Sequence, residues 1–268
     1  MKVRLGSGGV PICSKDPSTL GGVKTIKDIG LQAMEVEFVR GVNMSNATAA
    51  KVGELAKKLD VELSVHAPYY INLCNPEKQK ASMKRILDSC ERAHHLGAKV
   101  VVFHPGYHGG EKEKCLEMVI KSCRKMAEHI KKKGWKVKLG PETTGKVSQI
   151  CDVDETIKVY RKVPGTVPVI DWAHIYAKDQ GKIDFRGILD RLKPLKLKYI
   201  HSHFSCINFG PKGELNHLPL STKKPDYKPL VKELMKRKQD ITMISESPLL
   251  EKDALKVKKM FQQAGHKF

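Results

Sequence analysis

The sequence predicts an α/β chain folded as a single (β/α)8 TIM barrel. Three observations carry that expectation. Short β-branched runs alternate with amphipathic helical stretches, and the alternation of strand then helix repeats eight times. No low-complexity linker interrupts the series, so residues 1–268 read as one barrel domain, a length suited to that fold. Finally, Leu5-Gly6-Ser7-Gly8-Gly9 lacks the spaced third glycine of a dinucleotide turn, which disfavours an open doubly wound sheet.

The expected strands are Val3 to Gly6, Met34 to Val39, Glu62 to Ala67, Lys99 to His104, Lys136 to Glu142, Val167 to Asp171, Lys198 to Phe204 and Thr242 to Glu246. Helix signals separate them. Asn75-Pro76 opens a long helix that Gly97 stops, and Lys131-Lys132-Lys133-Gly134 closes the next, the lysines complementing its carboxyl end. The longest irregular stretch, 205–229, follows the seventh strand and precedes a helix beginning near Lys228. Loops of that length in a compact domain are functional or disordered, and this one carries Glu214 and His217, which favours function.

Composition narrows the function classes. The chain is 40% hydrophobic and 29% charged, and no apolar run approaches the roughly 18 residues of a spanning helix, which argues against both disorder and a membrane protein. MKVRLGSGGV has no following apolar stretch, so no secretion signal is expected and the protein is assigned to the cytoplasm, as a monomer. Forty-nine Lys and Arg against 29 Asp and Glu leave a net charge of +20, which favours a polyanionic partner such as nucleic acid. The seven cysteines are odd in number and form no Cys-x-x-Cys pair, so zinc knuckles and a disulfide framework lose support. Most are expected to be small buried hydrophobes in a reducing compartment.

A parallel barrel places its site at the carboxyl ends of its strands, and here those ends are polar. The third strand ends Ser64-Val65-His66, the fourth Val102-Phe103-His104, the fifth Gly140-Pro141-Glu142, the sixth Val169-Ile170-Asp171, the seventh His201-Ser202-His203 and the eighth Ile244-Ser245-Glu246. A lone strand-end histidine is ordinarily a hydrogen-bonded structural residue. Six polar strand ends converging on one rim would be costly in desolvation and repulsion unless cations sat among them. Imidazole and carboxylate without thiolate suit zinc, with manganese or iron as alternatives, and the number of ligands suits two or three ions. A carboxylate bridging two ions about 3.5–4 Å apart serves in-line displacement at phosphorus. Asp171 and His174 are expected on the sixth strand end and the turn after it, serving neighbouring ions.

Six segments together resemble the endonuclease IV family of apurinic/apyrimidinic endonucleases: His66-Ala67-Pro68-Tyr69-Tyr70-Ile71-Asn72, Phe103-His104-Pro105-Gly106, Pro141-Glu142-Thr143-Thr144, Ile170-Asp171-Trp172-Ala173-His174, His201-Ser202-His203 and Ser245-Glu246-Ser247-Pro248. The resemblance implies a (β/α)8 barrel holding three metal ions, usually zinc, that cleaves double-stranded DNA on the 5′ side of an abasic site. Carried across by position, His66 and His104 resemble ligands of a first ion that Glu142, the catalytic carboxylate, bridges to a second. Asp171, His203 and Glu246 resemble the second ion's other ligands, and His174 a ligand of the third. The family's Asp-x-His pair after the seventh strand is replaced here by Glu214 and His217, with two residues between them. His217 is the closer match, while Glu214 either binds metal or sits in a solvated turn. Tyr69 and Tyr70 resemble the family's helix-penetrating pair, the alternative being packing over the next helix, and Arg40 is a further candidate DNA contact.

Two other functions compete. A sugar isomerase or epimerase would use Glu142, Asp171, His203 and Glu246 around one ion, with Glu35 and Glu37 as its best support. It leaves His66, His104, His174, His217 and the charge without a purpose. A barrel that binds nucleic acid without catalysis would gain nothing from acids at the rim. His94, His95, His129 and His266 read as packing or surface residues, and His201 as a weaker ligand candidate than His203, which lies nearer the rim.

Overall fold

The computed structural model describes residues 1–268. Its elements, in chain order, are β1 (Val3–Gly8), α1 (Thr19–Asp28), β2 (Ala33–Glu37), α2 (Asn46–Leu59), β3 (Glu62–His66), α3 (Pro76–Leu96), β4 (Val100–Phe103), α4 (Lys112–Lys132) and β5 (Lys138–Pro141). There follow α5 (Val153–Lys162), β6 (Val169–Asp171), α6 (Trp172–Lys178), α7 (Phe185–Leu192), β7 (Ile200–Phe204), β8 (Cys206–Gly210), β9 (Gly213–Leu218), α8 (Lys228–Arg237), β10 (Ile241–Ser245) and α9 (Glu251–Gln263).

Eight strands pair in the order β5-β4-β3-β2-β1-β10-β7-β6, every pair parallel. The seam between β5 and β6 is bridged at Leu139–Thr166 and Glu142–Val169, so the sheet closes as a (β/α)8 barrel. The helix signals act as the sequence suggests. Asn75 caps α3 by accepting from Glu77 N and Lys78 N, and Gly97 ends it in the left-handed region. Asp152 and Glu155 form a capping box on α5.

The main hydrophobic cluster of 58 residues lies between sheet and helices. Inside the barrel, Val100, Val102 and Val169 form a small separate cluster. Gly140 makes room for that cluster, because a Cβ there would meet the methyls of Val100 and Val169 at 2.6 and 2.7 Å. The space above it is left to polar side chains. No helix is long and apolar enough to cross a membrane.

Two expectations are corrected. The stretch 205–229 is not irregular: β8 and β9 form an antiparallel hairpin, paired from Cys206–Leu218 to Gly210–Gly213. Cys74 and Cys115 are joined in a disulfide, their Cα atoms 4.8 Å apart. The βα connections bring the starts of α3 and α4 side by side across 41 residues, a proximity invisible in the spacing. Cys90, Cys123, Cys151 and Cys206 are free and buried, and Cys13 is free and exposed.

Candidate metal centre

Parallel strands deliver their last inward side chains to one rim. His66 ends β3, His104 and Glu142 follow β4 and β5, Asp171 ends β6, His203 lies on β7 and Glu246 follows β10. His174 stands in the first turn of α6 rather than in an open turn, and Asp171 is that helix's N-cap, accepting from His174 N at 2.6 Å. The hairpin folds back over the rim and adds Glu214 and His217 from β9.

Glu142 is the hub. It is wholly buried. Its Oε2 lies 2.8 Å from His104 Nε2 and 3.4 Å from His66 Nε2, and its Oε1 lies 2.7 Å from His203 Nδ1 and 3.6 Å from His174 Nδ1. Glu246 spans His203 Nδ1 at 3.2 Å and His217 Nε2 at 3.8 Å. Asp171 Oδ2 is 3.7 Å from His174 Nδ1, and Glu214 Oε2 is 3.5 Å from His174 Nε2. All nine residues therefore meet at one mouth. Close donor groups form at His66–His104–Glu142, at Glu142–Asp171–His203–Glu246 and at His174–His217–Glu246; Glu214 joins only through His174.

The donors fit divalent cations. Ligand atoms sharing a tetrahedral ion at about 2.0–2.2 Å stand about 3.3–3.6 Å apart, and most separations above fall in or near that range. Asp171 Oδ2 and His174 Nε2 are buried without a hydrogen-bond partner, an expense that an ion would remove. His66 and His174 each direct Nδ1 at a carbonyl, of Ala67 at 2.9 Å and of Thr143 at 3.0 Å, which turns Nε2 toward the cluster.

Without an ion, protons balance the acids. Burial alone would raise Glu142, but the charges of His203 and His104 overcome it and hold the carboxyl well below its usual range. Burial likewise opposes the protonated imidazoles, yet the carboxylates prevail: Glu142 and Glu37 push His66 up to about 10, and Asp171, Glu142 and Glu214 push His174 up to about 9. His203, between Glu35, Glu246 and Glu142, is also raised well above the histidine range. Burial raises Glu246 to about 8, with Glu142 and Asp171 adding to it against His203. His217 moves the other way, lowered by burial and by His174. A cation entering the mouth would take the place of these protons.

The profile described as "Xylose isomerase-like TIM barrel" matches residues 23–263. The chain belongs to the xylose isomerase-like TIM barrel family. An uncharacterized protein of Methanocaldococcus jannaschii is 35% identical over 270 residues, covering 97% of each chain. A "Probable endonuclease 4" of Metamycoplasma arthritidis is 34% identical over 100 residues, 36% of this chain and 35% of that one. Among solved structures, a D-tagatose 3-epimerase-like protein superposes with a TM-score of 0.73 at 19% identity, covering 98% of this chain and 96% of that one. Endonuclease IV from Thermus thermophilus superposes at 0.71 with 19% identity, covering 98% of both. These two likenesses show the fold.

On this xylose isomerase-like barrel, Tyr69 and Tyr70 are 56% and 53% exposed. They stack on each other, ring centroids 4.0 Å apart and hydroxyls 2.6 Å apart, and do not pack beneath a helix. Arg40 is exposed on the loop after β2. A mouth cavity of about 310 Å³ is lined by Glu37, Val39, His66, Tyr69, His174 and His217, among others.

Sequence reasoning misses the layer below. Glu35 and His201 have no part in the cluster that the strand ends predict, yet both are buried in the barrel interior and paired at 3.2 Å. Their i, i+2 relation to Glu37 and His203, which puts each pair on one strand face, is the available signal. Buried beneath the mouth, Glu35 does not face a substrate, which removes part of the isomerase's support.

Proposed function

We propose that this protein is a metal-dependent phosphodiesterase that cleaves double-stranded DNA 5′ to an abasic site, in the manner of endonuclease IV. One observation carries the reading. Beside the four-donor set Glu142, Asp171, His203 and Glu246, which would suffice for a single ion, His66 with His104 and His174 with His217 form two further donor groups at the same mouth. A one-ion sugar epimerase has no use for them. Zinc is the ion the donors favour, in two or three sites.

The surroundings support a large polyanionic partner. Apart from the terminal Met1 and Phe268, every exposed large hydrophobic residue (Ile12, Val39, Tyr69, Tyr70, Tyr107, Val147, Leu215) stands on the face that carries the carboxyl ends of the strands. Exposed apolar side chains gathered on one face mark a contact surface, and the net charge of +20 favours phosphate. Tyr69 and Tyr70, stacked at the lip, would wedge into a helix where a missing base lowers the unstacking cost.

When bound, the ions supply Lewis acidity at the phosphoryl oxygens and a nucleophile at neutral pH. Glu142 spans the donor groups with both oxygens and would hold two ions in register. His174 and His217 would face the leaving 3′ oxygen, and burial of the donors keeps their charges strong where phosphate charge gathers. Arg40 would contact the DNA backbone.

The test is a duplex oligonucleotide with one abasic site, incubated with zinc-loaded protein. A nick 5′ to the lesion leaving a 3′-hydroxyl supports the proposal. An uncut lesion strand together with interconversion of a ketose would replace it with the epimerase reading.

A further inference from the structure

We propose that Glu35 is a positioning residue of the metal centre, one that grips His203 from below by Nε2 and so sets Nδ1 toward the ions. The inference rests on the metal-centre reading above. Glu35 sits at the middle of β2, wholly buried, with its side chain in the barrel interior. Its Oε1 lies 2.8 Å from His203 Nε2, two buried atoms that face each other at ion-pair distance and that no hydrogen bond satisfies in the ion-free arrangement, and its Oε2 accepts from His201 Nε2 at 3.2 Å. At the opposite edge of the same ring, Nδ1 faces Glu142 Oε1 at 2.7 Å and Glu246 Oε1 at 3.2 Å. His203 is thus the link between the mouth and the layer beneath it.

A neutral imidazole carries one proton, and the nitrogen that donates it leaves the other free to ligate. His203 has carboxylates at both edges, so the tautomer is a contest between them. An ion at the mouth neutralises Glu142 and Glu246 as acceptors, whereas Glu35, in the layer below, remains an anion. The proton therefore goes to Nε2, and the lone pair on Nδ1 points to the mouth. A carboxylate behind a ligating histidine also makes the ring a stronger donor. His201 completes the device by occupying the second oxygen of Glu35, which stops the carboxylate from rotating away.

The same three residues invite a different reading, since Glu35, His201 and His203 themselves form a close donor group. With an ion already on Nδ1 at the mouth, a second one on Nε2 would require the ring of His203 to lose both protons, which decides against an ion there.

The experiment compares wild type with Glu35→Gln, which keeps the shape and removes the charge. Zinc affinity is read by chelator competition and the ligand field by the absorption spectrum of the cobalt(II)-loaded protein. Glu35→Gln should bind zinc about 10–100-fold more weakly, with the same number of ions at saturation and a shifted cobalt spectrum. Affinity and spectrum equal to wild type would overturn the proposal, and one ion fewer at saturation would make Glu35 a ligand instead. Long-range 1H–15N spectra of zinc-loaded wild type give an answer that does not depend on a variant's folding: His203 should carry its proton on Nε2, and a proton on Nδ1 would refute the idea. Wild type that takes up no metal would instead sink the metal-centre reading itself.

Discussion

Lowering the pH from 9 to 6 should weaken zinc binding at the His66–His104–Glu142 group about a thousandfold, one factor of ten per unit. The magnitude comes from His66. Burial would lower its pKa, but the hydrogen bond to Glu142 and the charges of Glu37, Glu142 and Glu35 outweigh burial and hold it up to about 10. Across this range the ion-free protein keeps a proton on His66, and a ligating nitrogen cannot. Binding must therefore expel that proton, and the cost grows as pH falls below about 10 and vanishes above it. Chelator competition across the range gives the slope. Calorimetry in buffers of different ionisation enthalpy counts the protons released, and at least one is expected for this ion. An affinity that does not change between pH 6 and 9, with no proton release, would refute the picture of protons standing in for metal.

Glu142→Gln should abolish cleavage while sparing DNA binding, because Glu142 lies wholly buried beneath the proposed contact surface; a gel-shift titration beside the nicking assay separates the two, and loss of DNA binding in a folded variant would contradict its role. Replacing Tyr69 and Tyr70 together with alanine should reduce cleavage of abasic duplex by about 30-fold to about 20,000-fold, as expected for loss of stacking worth roughly 1–3 kcal/mol for each of the two aromatics, and should leave the zinc content unchanged. Asp152→Ala removes the capping box of α5, in which Glu155 N donates to Asp152 Oδ1 at 2.9 Å. It should cost about 1–2 kcal/mol in urea unfolding with an unchanged m-value.

The ring of candidate ligands is legible because a parallel barrel turns chain order into geometry. Once eight strands are recognised, the last inward residue of each must arrive at one face, so His66, His104, Glu142, Asp171, His203 and Glu246 can be assembled without coordinates. Residues lower in the strands have no such landmark. Whether Glu35 reaches His203 depends on barrel register and depth, and β2 and β7 are separated in the sheet by β1 and β10. The sequence places His174 in a turn because the Asp171 side chain, which caps α6, reads equally well as a ligand alone. The hairpin is hidden by its polar, bulged strands, with a register shift at Asn208–Phe209, although Gly210-Pro211-Lys212-Gly213 is a turn signal in plain view.

Anomalous diffraction at the zinc edge from metal-loaded crystals tests the central claim most directly. Two or three peaks should appear, all at the barrel mouth, each in contact with at least two of His66, His104, Glu142, Asp171, His174, His203, His217 and Glu246. Only one peak, bound by Glu142, Asp171, His203 and Glu246 with the remaining histidines uncoordinated, would contradict the multi-ion centre and the phosphodiester chemistry built on it.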